Sequence, residues 1–118
     1  MWEVEFTNEF GDWFQLLDRS TQDAIASAIT VLQRRGPACG CPLVDTLKGS
    51  RHANMKELRP PAGNVRVLFA FDPRRTAILL VGGDKSGQWQ HWYLANVPVA
   101  DRLYDEYLDE LREEGLIS

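Results

Sequence analysis

Cysteine is nearly absent. The only two, Cys39 and Cys41, sit together in GPACGCP, too close to bridge without strain, so a disulfide scaffold is excluded and reduced thiols in a cytosolic setting are expected. Histidine is equally scarce, with His52 and His91 alone. Beside the CGC they match the spacing of no standard zinc finger or ribbon, and neither a metal site nor a cofactor is expected. No apolar run approaches a bilayer span, and Met1 leads straight into the strand-like WEVEF rather than a basic and then apolar leader. The chain therefore reads as cytoplasmic, without membrane attachment. Internal repeats and low-complexity tracts are lacking too. A chain of 118 residues can bury one core but not two, so residues 1–118 read as a single domain.

Positive charge is in deficit overall, with a formal net charge of -4, yet the charges are unevenly placed. From Lys48 to Trp92 eight basic residues (Lys48, Arg51, Lys56, Arg59, Arg66, Arg74, Arg75, Lys85) face three acidic ones (Glu57, Asp72, Asp84), a local excess of five. The acidic surplus lies near the end, where Asp101, Asp105, Glu106, Asp109, Glu110, Glu113 and Glu114 meet only Arg102 and Arg112. Local fields thus matter more than the total.

Trp2, Val4 and Phe6 alternate with Glu3 and Glu5, the pattern of a half-buried first strand. Thr7 or Asn8 can cap a short helix whose Phe10, Trp13, Phe14 and Leu17 form a core stripe. A second helix is expected from Ser20 or Thr21, with Ala24, Ile25, Ala28, Ile29 and Leu32 inward and Gly36–Pro37 as its stop. Residues 38–53 show no period and read as a loop. Pro98 is expected to start a last helix running to Glu114, with Leu103, Tyr104, Tyr107, Leu108 and Leu111 inward and an acidic outer face. The order fits a small α+β domain.

The centre of the chain is residues 54–85. Val65, Val67, Phe69 and Phe71 alternate with Arg66, Leu68 and Ala70; Pro73, Arg74 and Arg75 signal a turn; Thr76–Val81 is a second strand; and Gly82 and Gly83 are expected to end it, leaving Lys85 beyond. If helices cover one side only, Arg66 stands on the open face. A short strand over 54–59 that turns Leu58 inward would aim Glu57 and Arg59 at the same face.

Cations, a histidine and aromatic rings around one sheet face suit metal-independent RNA cleavage. A ribose 2′-OH loses a proton and attacks the adjacent phosphate, charge builds on the phosphoryl oxygens, and the 5′-oxygen leaves with a proton. Arg66 and then Arg59 suit the charge, because guanidinium binds phosphate bidentately. His91 suits proton transfer, Lys85 is a phosphate clamp or an acid or base, and Trp92 and Tyr93 offer stacking planes for an unpaired base. Lys48, Arg51 and His52 form a second RNA-facing cluster. Each has a quieter reading: an Arg66–Glu57 ion pair, a surface His91, a packing role for Trp89 and Trp92, and a solvated basic loop.

The stretch MKELRPPAGNVRVLFAFDPRRTAILLVGGDKSGQW, with the helical pair before it and VPVADRLYDEYLDEL after it, resembles the phage-derived, HigB-like branch of the RelE/ParE toxin superfamily. The resemblance implies a RelE-like fold: an N-terminal strand, two helices packed on a curved antiparallel sheet, and a C-terminal helix. It also implies the toxin of a type II toxin–antitoxin pair that cleaves mRNA in the ribosomal A site without a metal. The partners implied are the ribosome and a cognate HigA-like antitoxin with a helix-turn-helix DNA-binding domain. By matching position, Arg66 corresponds to the arginine supporting the scissile phosphate, Lys85 to the basic residue closing the next strand, and Lys56 and Arg59 to basic positions on the strand before. His91 and Tyr93 correspond to proton carriers that many relatives place nearer the chain's end. The long acidic helix and a pI near 5.1 depart from the pattern. Two alternatives stay open: a ParE-like toxin that binds DNA gyrase without catalysis, and an inactive module whose acidic last helix holds a basic partner.

Overall fold

A five-stranded sheet with an apolar layer on each side organises the chain. The architecture comes from a computed structural model, which describes residues 1–118 except Cys41 and Gln88. β4 (Val65–Phe71) and β5 (Thr76–Asp84) form the expected hairpin. Its turn closes on the buried Asp72 carboxylate, which accepts the backbone N–H of Arg74 at 2.7 Å and of Thr76 at 3.0 Å. β3 (Met55–Leu58) pairs antiparallel with β4. β2 (Val44–Thr46) pairs antiparallel with β3 at one edge, and β1 (Glu3–Phe6) lies parallel to β5 at the other. The order is β1-β5-β4-β3-β2, so the expected α+β class holds, with one parallel pair in an otherwise antiparallel sheet. β2 falls inside the stretch read as a loop: three residues carry no readable period, and pairing with β3 makes the strand.

α1 (Asn8–Gln15) starts where Thr7 Oγ1 accepts the Phe10 N–H at 3.0 Å. α2 (Arg19–Arg35) is capped by Asp18, whose carboxylate accepts the Thr21 N–H at 2.9 Å, rather than by Ser20 or Thr21. It ends at Gly36, with φ of 56°. These helices lay Phe10, Ile25, Ala28 and Leu32 on Val67, Phe69 and Leu79.

The other face is covered as well. α3 runs from Trp89 to Glu113 with Pro98 in its interior, so the helix does not begin at Pro98: the aromatic run WQHWY forms its opening turns. Val97, Ala100, Leu103 and Tyr104 pack on Leu68, Ala70, Ile78 and Leu80. The Arg66 face is therefore not an open face, and only its end beyond α3 is accessible. Leu68 pairs with Val81 and Phe69 with Leu79. This bulge puts Leu80 and Val81 together on the α3 side.

Gly82 and Gly83 lie within β5 instead of ending it. A Cβ on Gly82 would stand 2.1 Å from the Trp13 ring, and one on Gly83 would stand 2.4 Å from the Trp92 ring. The glycines let an indole lie flat on each face of the strand, and the ladder continues beneath them.

Candidate active site

Alternation along β3 aims Met55, Glu57 and Arg59 at the α3 side of the sheet. Arg66 on β4 faces the same way, and the first turns of α3 bring Tyr93 over them. Glu57 is the hub. Its side chain is 7% exposed, yet it accepts Arg59 Nη2 at 3.0 Å and the Tyr93 hydroxyl, and Arg66 Nε lies 3.7 Å away. Arg59 Nη2 also reaches Asp45 on β2 at 3.0 Å, while Arg66 Nη1 donates to the Val65 carbonyl at 2.8 Å. Among the described residues the Nε atoms of both arginines are buried without a hydrogen-bond partner. Burial, and then the hydrogen bond to Glu57, push the Tyr93 hydroxyl up to about 12, so it stays a neutral proton donor at physiological pH.

A cleft of about 530 Å³ opens over this cluster, lined by Glu57, Arg59, Lys85, Trp89 and Tyr93 with Asp45–Lys48 of the β2 edge. Lys85 is fixed by its N–H to the Asn64 carbonyl at 3.0 Å. Its ammonium sits 5.7 Å from the Trp89 ring centre and 5.9 Å from that of Tyr93. The cleft thus joins cations, two carboxylates, a neutral phenol and two ring planes. That set suits an anionic substrate with a flat base.

The other residues singled out in the sequence lie elsewhere. His91 is exposed and borders a separate depression with Gly87, Trp89 and Gln90. Trp92 packs on Gly83 and on the core beneath α3, and Trp89, not Trp92, lines the cleft. Lys56 falls on the α1–α2 side by alternation, its Nζ 3.5 Å from Thr46 Oγ1. Arg51 and His52 are tied to α3: Asp105 accepts from the Arg51 guanidinium and meets His52 Nε2 at 2.8 Å. The buried Asp101 accepts the Ser50 hydroxyl and, at 3.2 Å, the Arg51 N–H. Part of the acidic helix face therefore anchors the basic loop, and of that cluster Lys48 alone lines the cleft. No group of three or more potential metal ligands occurs among the described residues; Cys41, half of the CGC signal, lies outside them.

Residues 12–105 match the family described as phage derived protein Gp49-like. The chain belongs to this family. This Gp49-like chain is 50% identical over 104 residues to HigB2 of Mycobacterium tuberculosis, a protein named as a toxin; the match covers 86% of this chain and 52% of HigB2. The chain thus spans about half the length of that relative. It is 48% identical over 96 residues to HigB3 of the same organism, also named as a toxin, covering 81% of this chain and 84% of HigB3. Among solved structures, the isolated Escherichia coli RelE toxin superimposes with a TM-score of 0.62 at 7% identity, covering 82% of this chain and 99% of RelE. A chain of the RelBE2 toxin–antitoxin complex from Mycobacterium tuberculosis does so with a TM-score of 0.56 at 19% identity, covering 70% and 96%. At these identities the likeness establishes a shared RelE-type fold.

Sequence reasoning placed Glu57, Arg59 and Arg66 of the Gp49-like chain together but read Glu57 as a mere ion-pair partner. Its burial had no sequence signal, because the sequence left that face open and only α3 covers it. Trp89 carried none either, because its place depends on α3 beginning before Pro98. No helix among the described residues is long and apolar enough to cross a membrane.

Proposed function

We propose that this HigB homologue is the toxin of a type II toxin–antitoxin pair and a ribosome-dependent, metal-independent mRNA endonuclease that inhibits translation. The observation that carries the reading is the convergence of Glu57, Arg59, Lys85 and Tyr93 at the cleft, with Arg66 beside Glu57. In the proposed cycle Glu57 takes the proton of a ribose 2′-OH, whose oxygen attacks the adjacent phosphorus. The bond from phosphorus to the 5′-oxygen breaks, and Tyr93 gives its proton to that oxygen, leaving a 2′,3′-cyclic phosphate and a 5′-hydroxyl. The hydrogen bond between the two side chains then returns the proton from Glu57 to Tyr93. Arg66 supplies positive charge to the phosphoryl oxygens, Arg59 and Lys85 hold flanking phosphates, and Lys48 extends the track. A base stacks on Trp89 and Tyr93.

Ribosome dependence accords with the net charge of -4, which gives little general attraction for free RNA. The partner is a cognate antitoxin, HigA-like with a helix-turn-helix domain; the HigB names of the relatives support this reading. The test is mapping of mRNA ends in a translating extract, with Arg66→Ala and a ribosome-free control. Cuts within codons that need ribosomes and vanish in the variant are expected. Intact mRNA under full growth arrest would instead direct attention to gyrase or another protein target.

A further inference from the structure

β2 is a three-residue edge strand whose middle residue, Asp45, lines the cleft. Asp45 stands directly opposite Glu57 in the β2–β3 register. Two carboxylates thus face the same way from neighbouring strands, an arrangement that repels unless a cation lies between them. Arg59 is that cation: its Nη2 bonds to Asp45 Oδ2 and to Glu57 Oε2, each at 3.0 Å. The two bonds differ in kind. The Glu57 side chain is 7% exposed with Arg66 beside it as well, so its buried charge needs the arginines. The Asp45 side chain is 43% exposed, and its other oxygen accepts the Thr46 N–H at 2.9 Å, so water can solvate it without Arg59. A carboxylate oxygen at this distance from a guanidinium nitrogen stands where a phosphate oxygen would bind.

We propose that Asp45 screens the cleft against free RNA: an entering phosphate must displace its carboxylate from Arg59 and then lie beside its charge. The inference rests on the nuclease reading and deepens it. An exposed pair is weak enough to exchange. Messenger RNA held by the ribosome has already lost its translational freedom and can make that exchange, whereas free RNA must overcome ordering and displacement together. Ribosome dependence then resides partly in one side chain and not in net charge alone.

The test is binding of a short fluorescent oligonucleotide whose 2′-hydroxyls are replaced by hydrogen, followed by anisotropy across a salt series, with cleavage of ordinary RNA measured beside it without ribosomes. Asp45→Asn keeps the shape and an acceptor for the Thr46 N–H but removes the charge. It should bind about fivefold more tightly at low salt, the factor an exposed pair is worth, with the gain shrinking as salt rises, and should cut free RNA faster than wild type. Asp45→Ser, whose hydroxyl can still accept the Thr46 N–H, should show the same gain, and Asp45→Glu, which keeps the charge, should stay near wild type. Glu110→Gln makes the same change in net charge beside β1, at the other sheet edge, and should leave affinity unaltered. Weaker binding by Asp45→Asn and Asp45→Ser would mean that Asp45 holds Arg59 in its binding position and would overturn the proposal. An equal gain in Glu110→Gln, or no binding by any of these proteins, would overturn it too. Tighter binding by the two neutral variants of a protein that leaves ribosome-bound mRNA intact would uphold the screen and sink the nuclease reading instead.

Discussion

At the scale of single residues, the proposed chemistry turns on the Glu57 carboxylate and the Tyr93 phenol that donates to it. Glu57→Gln keeps the shape and removes the acceptor, and Tyr93→Phe removes the donor. Each is expected to slow cleavage about 10²- to 10⁴-fold with little change in ribosome binding, read from single-turnover cleavage against binding isotherms. The three tyrosines give a second check. Burial raises Tyr93, Tyr104 and Tyr107 alike, Tyr93 to about 12. A phenol whose folded pKa exceeds its unfolded value near 10 adds stability that is complete below pH 10 and is lost as pH rises through the folded value. An absorbance titration of phenolate should therefore show no tyrosinate step at pH 10 in the folded protein. In Tyr93→Phe the step at about 12 should disappear. Normal titration of Tyr93 near 10 would mean that Tyr93 is not buried against Glu57 in solution.

At the scale of elements, besides its apolar layer on the sheet, α3 is held to β5 through Trp92 and to residues 50–51 through Asp101. The Trp92 ring lies on Gly83, and Gly83→Ala should push it away and cost about 1–3 kcal/mol in chemical denaturation. The same change should displace Trp89 and Tyr93 and reduce cleavage. Asp101→Ala should leave the Ser50 hydroxyl and Arg51 N–H without their acceptor, costing about 1–3 kcal/mol and loosening the loop that carries Lys48. Hydrogen exchange at residues 50–52 would rise in the variant; unchanged protection there would show that the loop is held by something else.

These elements also show what was legible. The β4–β5 hairpin could be read because alternation and turn residues are local signals. The start of α3 could not: Pro98 is a good first-turn residue, and nothing nearby in sequence reveals that the turns before it are held by Trp92 against Gly83. The glycine pair misled for the same reason. Locally it signals a stop, and only the two indoles, one from α1 and one from α3, explain why the strand passes through.

At the scale of the whole molecule, charge is partitioned. The cleft collects cations, while the acidic helix spends Asp101 and Asp105 on anchoring the basic loop and presents Asp109 and Glu113 outward. Asp109→Asn with Glu113→Gln should leave mRNA cleavage within about twofold of wild type, since exposed charges contribute little locally, whereas Arg66→Ala should abolish it. A larger loss from the acidic pair would favour a working surface on α3.

The sequence by itself determined the α+β class, the hairpin, the two N-terminal helices and the shared direction of Glu57, Arg59 and Arg66, because strand and helix periods are written in neighbouring residues. Tertiary structure alone decided that α3 covers the arginine face, that Tyr93 closes on Glu57, that Trp89 rather than Trp92 faces the cleft, and that Arg51 and His52 are tied to Asp105. Those outcomes depend on packing between residues dozens of positions apart, where ring volume and buried charge select one arrangement and no local pattern records it.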